Sequence, residues 1–254
     1  IGDTSILIEN IVSDSRKVKQ KDLYAAIDGV NVDGHKYISS AIKKGAICIV
    51  CEVLPNKIQE GVLYVEVEST RESIGIIASN YFSEPSTKLK LIGITGTNGK
   101  TTIATLLYNL YNAAGLKTGL ISTVVNYIDG KEIESTQTTP DSLTINVLLN
   151  KMVEQEVKYC FMEVSSHGIE QNRISGLKFA GGIFSNLTHD HLDYHTSFKE
   201  YRNVKKEFFN NLPSTAFSLT NKDDKNGMYM VQNTDSKVFT YGLRTYADYK
   251  TKIL

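Results

Sequence analysis

From residue 89 onward, short apolar runs alternate with longer segments whose apolar residues recur every three or four positions. The short runs are typical of buried strands, and the recurring spacing is typical of helices with one buried face. Strands are predicted at 91–94, 119–125, 158–164, 180–187 and 215–221, and helices at 101–114 and at about 198–210. A further helix, capped by Asp141, is predicted because Ile145, Leu148, Leu149 and Met152 share one face. This alternation predicts an α/β fold with a doubly wound, mostly parallel sheet.

The first 82 residues show the same alternation on a smaller scale. Strands are predicted at 22–27, 46–51 and 62–67, and helices at about 35–44 and 71–82. Residues 83–90 are polar, contain a proline and show no periodicity, which is typical of a linker. We therefore predict a small N-terminal α/β domain over 1–88 and a second domain over 89–254.

A glycine-rich segment, LIGITGTNGKTT at 91–102, joins an apolar run to a predicted helix. Gly96 and Gly99 permit a tight turn whose amide groups point at an anion, and the helix adds its positive dipole end. Lys100 is expected to reach the outer phosphates, and the Thr101 hydroxyl to bind magnesium. The common P-loop pattern has glycine where this chain has Ile94, so the loop is a variant. The segment predicts a nucleoside triphosphate site in a P-loop ATPase domain.

The charge balance argues against polyanionic partners. The chain of 254 residues has 28 Lys and Arg against 28 Asp and Glu, so its formal net charge is zero. Nucleic-acid-binding domains usually carry a positive field, which a balanced chain lacks. No apolar run approaches the roughly 18 residues that span a bilayer, and no secretory leader is visible. We expect a cytoplasmic protein with neither nucleic-acid nor membrane partners.

Three cysteines favour a reducing compartment over a disulfide framework. Cys48 and Cys51 form a C-x-x-C, but they lie in a predicted strand, where residues three apart point to opposite faces. No second C-x-x-C completes a tetrahedral zinc site. We expect all three to be core residues.

Two further candidates lie at predicted strand ends, where open α/β sheets bind their ligands. Glu163 closes one apolar run and precedes SSHG. A lone glutamate there is usually solvated, but beside a phosphate loop a strand-end carboxylate is typical of a magnesium ligand. The second candidate is NLTHDHLDYH at 186–195, which contains three of the five histidines. Such clustering indicates a metal site, with His191 as the expected ligand.

A binuclear metallohydrolase is a competing hypothesis for this histidine cluster. Its H-x-H-x-D-H pattern is nearly matched by His189, His191 and Asp193, but Tyr194 shifts His195 out of register. That hypothesis also leaves the phosphate loop without a role. Solvated loop histidines remain an alternative for His189 and His195.

Several motifs together resemble the Mur ligases of peptidoglycan synthesis. They are GITGTNGKTT, TTP at 138–140, EVSSHG with Gln171 and Arg173 behind it, NLTHDHLDYH, YRNVKKEFF, and near the start SDSRKV and DLYAAIDGVNVDGHKYI. EVSSHG and DHLDYH resemble the branch that adds the third amino acid. The family implies three domains, for the UDP end, for ATP and for the incoming amino acid. The chain then holds the first and most of the second, and the C-terminal domain is expected to be absent.

The resemblance also implies residue roles. The uridine nucleotide would contact Ser13, Ser15, Val30, Asn31 and Val32. The muramoyl dipeptide would contact Gln137, Thr138, Thr139, Ser165, Gln171 and Arg173, although Gln137 stands where the family carries asparagine. ATP would be cradled by Gly96, Thr97, Asn98, Gly99, Lys100, Thr101 and Thr102. Magnesium would be held by Thr101, Glu163 and His191, and by Lys205 once carbamylated.

The carbamylation implied for Lys205 has a chemical cost. A free lysine has a pKa of about 10.4, so about one amine in a thousand is neutral at pH 7 and able to attack carbon dioxide. A nearby metal and burial must first lower that pKa. Sequence alone favours two solvated helix lysines at Lys205 and Lys206.

The implied activity is ATP-dependent amide ligation. UDP-N-acetylmuramoyl-L-alanyl-D-glutamate would be converted to an acyl phosphate, and meso-diaminopimelate or L-lysine would then attack that acyl phosphate. The catalytic residues implied by the resemblance are Lys100, Glu163, His191 and Lys205. The resemblance implies a monomer that requires ATP and Mg²⁺. Two alternatives stay open: a related ligase such as a folylpolyglutamate synthase, or a substrate-binding fragment without turnover.

Overall fold

The computed structural model describes residues 1–29, 32–188 and 197–251. Its first sheet has four parallel strands in chain order, β1 (Asn10–Val12), β2 (Asp22–Ala25), β3 (Cys48–Cys51) and β4 (Leu63–Glu66). A 3₁₀ turn (Gly34–Tyr37) leads into helix α1 (Ile38–Lys44), and helix α2 (Thr70–Tyr81) follows β4. The apolar side chains of α1 pack on one face of this sheet, and Ile74 of α2 packs on the other.

The second sheet has nine strands. They are β5 (Lys90–Thr95), β6 (Thr118–Ile121), β7 (Val125–Ile128), β8 (Lys131–Glu134), β9 (Tyr159–Glu163), β10 (Gly181–Phe184), β11 (Phe217–Asn221), β12 (Lys237–Gly242) and β13 (Tyr249–Lys250). Their order is β13-β12-β11-β10-β5-β9-β6-β7-β8. All pairs from β13 to β6 are parallel, and β7 and β8 add an antiparallel edge.

Helices cover both faces of the second sheet. They are α3 (Lys100–Ala113), α4 (Ser142–Glu154), α5 (Ser166–Glu170), α6 (Phe198–Asn210) and α7 (Gly227–Met230). Successive strand residues point to opposite faces, so Ile94 packs with α3 whereas Leu91 packs with α4 and α6. This confirms the predicted doubly wound α/β class. None of the helices in the described ranges combines the length and apolar character needed to cross a membrane.

The predicted strand at 119–125 is wrong in its second half. Strand β6 ends at Ile121, and the chain reverses into β7 at Val125. Two side chains stabilise this bend: the Ser122 hydroxyl donates to the Val125 carbonyl at 2.6 Å, and the Asn126 side-chain oxygen accepts from the Ser122 amide at 3.1 Å. The predicted hairpin turn at Asp129–Gly130 is confirmed, with φ of 47° and 83°.

The connection between the two sheets is packed rather than loose. Its centre forms a 3₁₀ turn (Pro85–Thr87), and both Pro85 and Ser86 are buried. The Ser86 hydroxyl accepts a hydrogen bond from the Lys178 amide at 3.0 Å. Helix α2 of the first sheet also packs against α4 of the second. The chain on either side of residues 83–90 is therefore held together by direct contacts.

The cysteines are free and buried, as predicted. Cys48 packs in the cluster on the α2 face of the first sheet, and Cys51 in the cluster on the α1 face. Their thiols thus point to opposite faces. Burial raises the pKa of Cys48 to about 11 and also raises the pKa of Cys160.

We expect the thiols to resist alkylation in the native protein. At pH 8 a buried thiol with a raised pKa is mostly protonated, and the thiol form is a poor nucleophile. Mass spectrometry after iodoacetamide treatment should show no modified cysteine in the native chain and three in urea. Rapid native labelling of Cys48 or Cys51 would contradict this assignment.

Candidate functional site

The glycine-rich loop lies between β5 and α3. Ile94 is fully buried inside β5, which runs on to Thr95, so the turn begins only at Gly96. This explains why the glycine of the longer P-loop pattern is absent. Gly96 has φ of 148° and Gly99, at the cap of α3, has φ of 84°. Both conformations favour glycine, as the sequence predicted.

The residues that follow β10 brace this loop. The Thr97 amide donates to the Asn186 carbonyl at 2.8 Å, and the Asn98 amide donates to the Asn186 side-chain oxygen at 3.1 Å. The Ser185 hydroxyl donates to the Asn98 carbonyl at 2.7 Å. The loop is therefore held in one shape by a neighbouring strand end. No local pattern predicts this role of Ser185, although the residue directly precedes the NLTH segment.

Two lysines meet at one carbonyl of the loop. Lys100 Nζ donates to the carbonyl oxygens of Gly96 at 3.0 Å and of Thr97 at 2.8 Å. Lys205 Nζ, from α6, donates to the same Gly96 oxygen at 2.9 Å and lies 4.8 Å from the centre of the Tyr201 ring. Lys100, beside the loop amides at the N-terminus of α3, is suited to binding an anion.

The prediction of solvated lysines is wrong for α6. Lys205 is 1% exposed and Lys206 is 8% exposed. Lys206 Nζ lies 4.9 Å from the centre of the Tyr229 ring, so both side chains are covered by aromatic residues. Burying an ammonium group requires such partners, because desolvation disfavours the charge.

Glu163 ends β9 beside the loop. It is fully buried and pairs in register with Ile94, two residues before Gly96. Its carboxylate accepts from the Thr123 amide at 2.8 Å and contacts the Thr123 hydroxyl at 3.1 Å. No basic side chain of the described residues lies within ion-pair distance of it. A buried carboxylate without a counter-charge fits a cation site.

Thr138 and Thr139 lie next to Glu163. The Thr139 hydroxyl donates to the Glu163 carbonyl at 2.9 Å and accepts from the Ser165 amide at 3.0 Å. The Ser165 hydroxyl caps α5 by accepting from the Gly168 amide at 3.0 Å. The Thr138 hydroxyl lies 3.1 Å from that of Thr123. These residues are brought together, with the buried Thr139 as the bridge between β9 and α5.

Arg173 forms hydrogen bonds with the remaining predicted substrate residues, Gln137 and Gln171. Its guanidinium donates to the side-chain oxygen of Gln137 at 2.7 Å, to the Thr139 carbonyl at 2.7 Å and to the side-chain oxygen of Gln171 at 2.7 Å. Gln137 thus takes part in the cluster despite departing from the family pattern. Its Nε also donates to the Gln171 oxygen, at 3.2 Å, so the arrangement fixes the plane of the guanidinium.

A separate cleft of about 510 Å³ lies at the first sheet, where uridine contacts were expected. It is lined by Ser13, Ser15 and Val32, together with Asp14, Arg16, Tyr24 and four other residues. Hydrogen bonds from Arg16 lower the pKa of Asp14 to about 2. Burial raises the pKa of Tyr24 to about 12, and its hydroxyl donates to the Gly34 carbonyl at 2.9 Å. Val30 and Asn31 lie outside the described residues.

Most of the histidine motif NLTHDHLDYH lies outside the residues that the structure describes. His189, His191, Asp193 and His195 lie outside the described residues, so the predicted ligand role of His191 stays a prediction. Within the ranges that are described, no group of three or more His, Cys, Asp or Glu side chains could hold a metal ion.

The sequence matches two protein families. Residues 94–254 match the Mur ligase middle domain, and residues 7–82 match the family described as Mur ligase family, catalytic domain. A UDP-N-acetylmuramoyl-L-alanyl-D-glutamate–2,6-diaminopimelate ligase from Phocaeicola vulgatus is 54% identical over 254 residues, which is all of this chain and 52% of that protein. The chain spans about half the length of the curated relatives it matches.

Solved structures of other proteins share the fold of this chain. A UDP-N-acetylmuramoyl-L-alanyl-D-glutamate–2,6-diaminopimelate ligase superposes with a TM-score of 0.83 at 27% identity, over 96% of this chain and 50% of that one. A folylpolyglutamate synthase from Mycobacterium tuberculosis superposes with a TM-score of 0.55 at 15% identity, over 69% of this chain and 49% of that one. The second likeness extends to the fold alone.

Proposed function

The chain belongs to the Mur ligase family, and from this premise we propose that it supplies the UDP-binding and ATP-binding domains of an amide ligase. The proposed reaction joins 2,6-diaminopimelate to UDP-N-acetylmuramoyl-L-alanyl-D-glutamate, the substrates in the names of its relatives. Residues 1–88 would hold the uridine end and residues 89–254 would hold ATP. We also propose that the protein is cytoplasmic and monomeric.

The observation that carries this proposal is the position of Lys100, whose Nζ lies on the Gly96 and Thr97 carbonyls at the start of α3. In the proposed reaction, a substrate carboxylate attacks the γ-phosphorus of ATP and ADP leaves. The amino group of the incoming amino acid then attacks the acyl carbon, and phosphate leaves. Lys100 and the loop amides would neutralise charge on the phosphates. Arg173 would hold a carboxylate of the peptide.

Magnesium fits the residues at the strand end. Glu163 offers a buried carboxylate without a counter-charge, and Thr101 lies in the first turn of α3. The ion would supply positive charge to the phosphates. We propose Thr101, Glu163, His191 and carbamylated Lys205 as its protein environment. The buried position of Lys205 beside the loop supports a role for it there.

We expect the chain to bind UDP-N-acetylmuramoyl-L-alanyl-D-glutamate, and Arg173→Ala to weaken that binding about tenfold or more. The substitution removes charge-assisted hydrogen bonds, each worth roughly 1.5–3 kcal/mol. Isothermal titration calorimetry of the two chains measures the difference. Arg244→Ala is the matched control, because its side chain is exposed and distant in sequence from the cluster.

The same titration separates the proposal from its alternatives. Dihydrofolate or a folylglutamate binding in place of the UDP-sugar would instead support a folylpolyglutamate synthase. Absence of binding by the wild-type chain to the UDP-muramoyl dipeptide would overturn the proposed function. An unchanged affinity in Arg173→Ala would leave the function standing and remove Arg173 from the site.

A further inference from the structure

A pocket of about 190 Å³ lies at the junction of the two sheets. The second sheet contributes Gln137, Gln171 and Arg173 to its wall, and the first contributes Ile27, Arg71 and Ile74. Asp141 also lines the pocket, but its carboxylate is engaged at the start of α4 by the amide of Thr144 at 3.0 Å and its hydroxyl at 2.7 Å. Two arginines, one from each half of the described chain, thus line the pocket.

In the described structure, most N–H donors of the Arg71 guanidinium have no hydrogen-bond partner. It lies in the first turn of α2 and is partly exposed. Within the described part of the chain, its one hydrogen bond runs from Nη2 to the Asp28 carbonyl at 2.5 Å. A guanidinium has five N–H donors in a fixed fork, which matches the geometry of a carboxylate. The contact with Asp28 leaves one edge of that fork able to bind an anion in the pocket.

A close backbone approach joins the helix that carries Arg71 to the segment that carries Arg173. Gly75 lies one turn after Arg71 on the same face of α2. A Cβ built on Gly75 would lie 2.5 Å from the Ser175 carbonyl oxygen, and one built on Gly176 would lie 2.8 Å from the Gly75 carbonyl oxygen. These backbones touch because neither glycine has a side chain. The segment that contacts α2 is also the one that carries Arg173, so this contact brings together the backbones that carry the two arginines.

We propose that Arg71 is a second carboxylate-binding residue, which acts with Arg173 on the glutamate at the peptide end of the substrate. The inference rests on the proposed function. A terminal glutamate carries two free carboxylates, of which only one can become the new amide. Two arginines at one pocket match those two groups. One of them would orient the carboxylate that reacts, and the other would hold the carboxylate that does not.

The test compares two ligands that differ by the glutamate. Titrations use UDP-N-acetylmuramoyl-L-alanyl-D-glutamate and UDP-N-acetylmuramoyl-L-alanine with the wild-type chain, Arg71→Met, Arg71→Lys and the exposed control Arg244→Met. We expect Arg71→Met to weaken binding of the glutamate ligand roughly 10- to 100-fold. Its affinity for the shorter ligand should stay within about twofold of wild type. Arg71→Lys should restore part of the loss, since it keeps the charge without the fork.

The outcomes separate the inference from the function on which it rests. If the wild-type chain binds neither ligand, the proposed function fails. If the wild-type chain binds both and Arg71→Met leaves the glutamate ligand unaffected, Arg71 has no role in recognition and the inference is overturned. Equal weakening of both ligands also overturns it, because a purely structural role through Asp28 would affect the two alike.

Discussion

Replacing Gly96 with alanine is expected to weaken nucleotide binding by more than about 100-fold and to lower the free energy of unfolding by roughly 2–4 kcal/mol. A Cβ at this position would lie 2.0 Å from the Ser185 hydroxyl and 3.0 Å from the Asn186 carbonyl oxygen. Ser185 cannot simply turn away, since its hydroxyl holds the Asn98 carbonyl of the loop. The alanine must therefore displace the loop, together with the carbonyl on which Lys100 and Lys205 converge.

Calorimetric titration of Mg-ATP and urea unfolding would measure the two effects. Gly115→Ala is the matched control, because Gly115 has φ of 79° but nothing within 4 Å of a built Cβ. It reports the cost of a side chain at a glycine of positive φ where no clash occurs. In a double mutant, Ser185→Gly removes the hydroxyl that the new methyl group meets, so part of the loss should return. Wild-type ATP affinity in Gly96→Ala would show that the phosphates bind elsewhere.

The main elements of the fold were predictable because their signals are local. Helix α4 illustrates this: its apolar face is set by residue spacing, and the predicted cap at Asp141 is present. The central strands are buried on both faces, so they read as continuous apolar runs. Patterns of this kind survive in the sequence without any knowledge of tertiary contacts.

Short elements were missed where pairing with a neighbour, rather than sequence pattern, decides the structure. Strand β1 has three residues and exists by its register with β2. Strand β13 has two, held against β12. The bend between β6 and β7 depends on hydrogen bonds of Ser122, a residue that also fits an extended strand. No local periodicity distinguishes these cases.

In the candidate site, too, features set by local sequence were predictable and features set by distant contacts were not. The glycine loop was predictable because its turn requires glycine at Gly96 and Gly99. The burial of Lys205 was not, because its hydrogen-bond partner lies 109 residues away in the sequence. Arg71 could not be predicted for the same reason, since the pocket that it shares with Arg173 is formed by segments far apart in the sequence.

The substitution Glu163→Gln is expected to separate stability from magnesium-dependent binding. Glu163 is a fully buried carboxylate whose partners in the described structure are the amide and hydroxyl of Thr123. A neutral amide of nearly the same size keeps an oxygen for the Thr123 amide and removes a charge that is costly to bury. The free energy of unfolding should stay constant or rise by about 1 kcal/mol. The affinity for Mg-ATP should fall by about 100-fold if the substitution removes the metal ligand that we propose.

Titrating ATP with and without Mg²⁺ into both chains measures the gain in affinity that the metal provides. We expect a large gain in the wild-type chain and almost none in Glu163→Gln, while the exposed carboxylate change Glu134→Gln should behave as wild type. The direction of the stability change makes the test specific. A purely structural glutamate would lose stability on substitution and keep its dependence on Mg²⁺. That result would exclude Glu163 from the metal site, because a ligand held ready for a cation must trade stability of the empty protein for affinity.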